Sequence, residues 1–137
     1  MKNAIENLKE AQAKGLAGRP KVNGFPYLAE TLRRAGVRRN EWILPACESL
    51  YVTDLGSVVS QGAPLISGDA PVPNFDETAL LRIIDADKAG QTSFPEFLLG
   101  SWKAGVVRYE VDFEARTVIY FGATQERYVE HYPQATI

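Results

Sequence analysis

A single cysteine, Cys47, stands in the 137 residues, so no disulfide can close within the chain and a reducing compartment suits it. Histidine is equally scarce, with only His131 close to the end. A cysteine nucleophile needs a base within reach, and nothing in the order of residues brings these two together. Basic charge is not in excess either. Lys and Arg total 15 against 17 Asp and Glu, for a formal charge of -2. That balance gives no field to attract nucleic acid, and none is expected as a partner. No stretch approaches the ~20 apolar residues of a membrane span, and residues 1–15 lack the apolar core of a secretion signal. A cytoplasmic protein without membrane contact is expected. Also missing are a phosphate-cradling glycine loop, zinc-ligand spacing, a nucleophile elbow and a dinucleotide fingerprint. Familiar enzyme classes are thereby disfavoured.

What is present is ordinary for a folded domain: 45% hydrophobic and 23% charged residues. A chain of this length can bury a core without staples, so one domain over residues 1–137 is expected. Residues 3–14 place Ile5, Leu8 and Ala11 at helical spacing, with Gly15 read as the stop. A second helix runs from Phe25 or Pro26 to Ala35, ended by Gly36. Beyond Val37 the period changes. Asn40, Trp42 and Leu44 point one way along a strand and Arg39, Glu41 and Ile43 the other. Strands at 50–52 and around Val58 follow. Residues 62–74, rich in Pro and Gly, form a boundary loop. The same order then recurs. A helix spans 75–89, and Ser93 with Glu96 forms a capping box for another over 94–104. Alternating residues from 107 to 113 then lead into strands at 117–121 and 126–130.

At a constant offset of 69 residues, Phe25, Pro26, Ala35, Gly36, Val37, Arg39, Glu41 and Tyr51 meet Phe94, Pro95, Ala104, Gly105, Val106, Arg108, Glu110 and Tyr120. The matches fall on a helix start, a helix stop and one strand register, which is the signature of an internal repeat. The expected fold class is therefore α+β. Two pseudo-repeated helix-helix-β-meander units, at about 1–64 and 75–137, share one core, with antiparallel strands and helices packed on the sheet.

Two constellations could carry chemistry. Residues 85–96 resemble the calcium loop of an EF-hand, with Asp85, Asp87, Gly90 and Glu96 where ligands and the turn glycine belong. Ala89 supplies no oxygen at the fifth position and Thr92 replaces an aliphatic residue at the eighth. The other half offers no sister loop. Apart from this calcium reading, no cofactor is expected. The second constellation is the aromatic C-terminal third: Tyr109, Tyr120, Tyr128 and His131, with Glu110 near them in sequence. Tyrosines on strands line half-buried faces, each with an apolar ring and a polar tip.

The stretches 90–97 (Gly-Gln-Thr-Ser-Phe-Pro-Glu-Phe), 104–113 and 117–122 resemble the YbcV/YdfO-like family of small bacterial proteins. That resemblance implies a bacterial, prophage-related protein of a family with no assigned chemistry. Some members carry the label phage envelope protein, and no catalytic residue comes with it. The leading expectation is a non-enzymatic binding or regulatory module acting on a protein partner or on itself as a homodimer. A small-molecule-binding protein or small enzyme is the alternative, its cleft between the halves lined by Tyr109, Glu110, Tyr120 and Tyr128. A degenerate calcium binder stands third.

Overall fold

The computed structural model describes residues 2–137. Its elements run α1 (Ala4–Gly18), α2 (Gly24–Arg34), β1 (Val37–Ile43), β2 (Glu48–Thr53), β3 (Gly56–Gln61), α3 (Glu77–Lys88), α4 (Phe94–Lys103), β4 (Arg108–Asp112), β5 (Thr117–Phe121) and β6 (Arg127–His131). The class is α+β, with four helices on a single six-stranded antiparallel sheet of order β3-β2-β1-β4-β5-β6. Short turns explain the neighbours within each meander. The central β1–β4 pair alone joins the two, with Glu41 opposite Glu110.

Local chemistry sets most boundaries. Asn3 and Asp76 cap α1 and α3 by accepting the backbone N–H of Glu6 and Ala79. At α4 the Ser93 hydroxyl accepts from Glu96 N–H while the Glu96 carboxylate accepts from Ser93 N–H, which completes the capping box. Gly36 and Gly105 follow α2 and α4 with φ of +93° and +90°, a backbone that favours glycine. One boundary departs from expectation. Helix α1 continues through Gly15 to Gly18. A Cβ on Gly15 would stand 2.5 Å from the Leu28 side chain, so this glycine lets α2 approach rather than ending α1.

Register and burial show which face the helices cover. Ser60, Ser49, Trp42, Tyr109, Tyr120 and Tyr128 form one row across all six strands, and Val58, Tyr51, Asn40, Val111, Val118 and Glu130 the next. These rows face the helices, and the core continues above them through Leu8, Leu32, Leu80, Ile84, Leu98 and Trp102. The opposite face carries Ile43, Val59 and Val129, all exposed. Helix α1 packs on α2 and α3 on α4, with no comparable packing between the two hairpins. Their link is at the ends, where Asn23 N–H donates to the Lys88 carbonyl at 2.8 Å.

Arg33, Arg34 and Arg38 are spent on ion pairs. Arg33 grips the Glu30 carboxylate with two bonds of 2.8 Å, and Arg34 adds one at 2.9 Å. Arg38 bridges Asp54 and Glu114 across the end of the sheet. Hydrogen bonds from Arg33 hold the Glu30 carboxyl down at about 2, against the cost of burial. A depressed carboxyl contributes stability that is complete above its unfolded value near 4.5 and lost as pH falls toward 2. Both guanidiniums reach solvent, which screens the gain to about 1 kcal/mol. Urea unfolding at neutral pH and at pH about 3 should show Glu30→Gln losing that difference relative to wild type. Equal acid sensitivity in both proteins would contradict it.

Candidate functional site

Because the helical hairpins do not close on each other, a cavity of about 750 Å³ remains between them and the sheet. That volume is in the range of sites that enclose a small organic molecule. Its floor is the concave sheet face, presenting Asn40, Trp42, Tyr51, Tyr109, Val111 and Tyr120. Its roof comes from Leu28 and Leu32 of α2, Ile84 and Asp87 of α3, and Phe94 and Phe97 of α4. The loops after α1 and α3 border it with Arg19, Lys21, Gly90 and Thr92. A second depression, of about 430 Å³, lies over α1 and α2. It is lined by Lys2, Glu10, Lys14 and Arg34, charges of both signs that suit water.

Aromatic rings build most of the cavity's floor and one wall. Trp42 stacks on Tyr109 at 6.3 Å, Tyr109 sits 5.9 Å from Tyr120, and Tyr120 lies 6.4 Å from Tyr128. From above, Phe94 meets Trp42 edge-on at 5.1 Å and Phe97 meets both Tyr109 and Tyr120 at 6.4 Å. Such contacts fix ring orientation as well as burying area. The phenols are therefore held in place before any ligand arrives.

Polar groups share this interior with the rings, among them Gln12, Asn40, Asp87, Lys88, Thr92 and Glu130. The Tyr120 hydroxyl donates to Glu130 at 2.8 Å, and Lys88 pairs with the same carboxylate at 3.2 Å. Asp87 accepts from the Thr92 hydroxyl at 3.0 Å. Burial pushes the Asp87 carboxyl up, while the Thr92 bond and the charge of Arg19 pull it down. Among the described residues the Tyr109 hydroxyl has no hydrogen-bond partner, although only 6% of the residue is exposed. Burial raises the Tyr109 and Tyr120 hydroxyls well above the ordinary tyrosine value. Both stay neutral and can donate or accept.

The expected site residues divide between the two faces. Tyr109 and Tyr120 line the cavity together, and Tyr128 extends their row toward the sheet edge. Glu110 lies on the opposite face, half-exposed, bonded to Arg108 at 2.6 Å beside Glu41. It cannot share a face with Tyr109, its neighbour in the strand. His131 is exposed beside the cavity's edge, and it is Glu130 that turns to the phenols. Of the calcium set, Asp85 is exposed on α3, Glu96 is engaged in the cap of α4 and Asp87 faces the cavity. Among the described residues no three His, Cys, Asp or Glu side chains gather as a metal site, these three included. Asn40, Tyr51 and Thr92 were not expected at the site. The signal for Asn40 is its register with Trp42, which places an amide on an otherwise inward-facing row.

Among the described residues no helix is long and apolar enough to cross a membrane. Comparison with known proteins places relatives over nearly the whole chain. Uncharacterized proteins of Mycobacterium bovis and of two strains of Mycobacterium tuberculosis are each 59% identical over 132 residues, covering 96% of this chain and 80% of theirs. The model of the family described as "Protein of unknown function (DUF1398)" matches residues 19–131. That span includes the floor of the cavity, both phenols, Asp87 and Glu130, and the chain belongs to this DUF1398 family.

Proposed function

We propose that the protein binds a small organic molecule in the cavity between the two helical hairpins and the sheet. The observation that carries this reading is the cavity itself, about 750 Å³ and walled by preset aromatic rings with polar groups among them. Apolar rings supply affinity, and the polar groups supply orientation. We read the role as binding, because among the described residues the cavity's phenols, amides, carboxylates and cations include no nucleophile paired to a base.

The scaffold reading that goes with it is internal duplication. Its support is backbone detail at the same offset of 69 residues. Gly36 and Gly105 share φ near +90°, and Cys47 and Arg116 share left-handed φ of +50° and +56° in equivalent turns. The cavity would then lie where two copies of one unit meet. The narrower YbcV/YdfO-like assignment rests on the stretches at 90–97 and 104–122 and adds no chemistry.

A titration with the uncharged fluorophore N-phenyl-1-naphthylamine tests the binding reading. Saturable binding at one site per chain is expected, with a raised melting temperature and energy transfer from Trp42. Trp102, the second tryptophan, lies in the same core and should contribute transfer that saturates at the same ligand concentration. A folded protein with no saturable signal would overturn the proposal.

A further inference from the structure

Inside the cavity the inward carboxylates are not equally compensated. Glu130 has both Lys88 and the Tyr120 hydroxyl. Among the described residues no cation lies within ion-pair distance of Asp87, whose one bonded partner is the neutral Thr92 hydroxyl. Arg19 and Lys21 border the same cavity, and the charge of Arg19 reaches Asp87, but neither forms an ion pair with it. A half-buried carboxylate that makes no ion pair is costly, and a ligand cation that pairs with it recovers that cost.

A second, independent feature points into the same space. The Tyr109 hydroxyl, on a residue 94% removed from solvent, has no protein partner among the described residues and lines the same cavity as Asp87. Asn40, 4% exposed, donates its amide N–H to the Leu50 carbonyl at 3.0 Å. Its side-chain carbonyl oxygen accepts no protein hydrogen bond among the described residues and is left as an acceptor. The electron-rich faces of Trp42, Tyr109 and Phe97 complete the surroundings. A carboxylate, free acceptors and aromatic faces together make the chemistry that holds an ammonium group.

On the strength of the binding reading above, we infer that the ligand is a small organic amine. Its flat apolar body lies against the aromatic floor and its ammonium group meets Asp87 and Tyr109. The test compares three probes of one shape by calorimetry at neutral pH: tryptamine, 3-ethylindole and indole-3-propionate. Tryptamine should bind at least tenfold more tightly than 3-ethylindole, with the acid weakest. Asp87→Asn keeps the size and the acceptor for Thr92. It should bring tryptamine down to the level of 3-ethylindole and leave 3-ethylindole unchanged, which also shows the cavity intact. Glu110→Gln, on the other face, should change none of the three affinities.

An acid bound more tightly than the amine, or an amine preference that survives Asp87→Asn, overturns the ligand class. If all three indoles fail while N-phenyl-1-naphthylamine still saturates one site, the amine inference falls and the cavity reading stands. If the fluorophore also fails, both fall.

Discussion

Gly105→Ala is expected to destabilise the fold by about 4 kcal/mol, among the largest losses a single methyl group can cause. Gly105 has φ of +90° and ends α4. An added Cβ would stand 2.5 Å from the Phe75 Cα and 2.6 Å from the Asn74 carbonyl oxygen. Those atoms are backbone, fixed by the bond from Asp76 N–H to the Ala104 carbonyl at 2.8 Å, and have little room to yield. Gly36 is the control. Its φ is +93°, but the nearest atoms to its Cβ would belong to the exposed Asp54 side chain, from 3.1 Å. Gly36→Ala should therefore cost only the left-handed backbone, about 1–2 kcal/mol. Urea denaturation of both variants separates conformation from crowding. Equal losses would refute the assignment of the difference to the 74–76 crossing.

Leu80→Ala should cost about 3 kcal/mol, the second largest effect. Leu80 is wholly buried and anchors α3 in the core. Its removal leaves a void among packed neighbours rather than a gap that water can fill. Leu99 on α4 is 39% exposed. Its truncation should cost less than about 1 kcal/mol, since surface changes away from special features stay small. Thermal unfolding of the two variants, read against wild type, ranks them. A loss at Leu99 as large as that at Leu80 would mean the helical layer packs differently.

How much of this was legible in the sequence follows from the range of each interaction. Caps and stops act within a turn, so Ser93 with Glu96, and Gly36 with Gly105, could be read directly. Gly15 resembles a stop in sequence, but its role is to admit Leu28 from another helix, a contact with no local mark. The helix-facing side of β1 was legible from the alternation of Asn40, Trp42 and their neighbours. The β1–β4 pairing that joins the meanders was not, since it links residues far apart in the chain.

The site follows the same rule. Tyr109 and Tyr120 are inward by strand period, and the same period sends Glu110 to the other face, away from the cleft it was expected to line. Asp87 is one of three acids spaced as in a calcium loop. Its direction into the cavity depends on how α3 seats against the sheet. Tertiary packing turned a local motif into a wall residue.

The most direct test uses the two tryptophans as opposed reporters in a proton–nitrogen correlation spectrum of the whole chain. Trp42 stands in the cavity floor, and Trp102 is buried in the core away from it. With Trp42→Phe assigning the two indole N–H signals, titration with tryptamine or 3-ethylindole should shift the Trp42 signal progressively to saturation. The Trp102 signal should stay nearly still. A Trp42 signal unmoved by every probe, while the protein remains folded, would contradict a ligand site between the hairpins and the sheet.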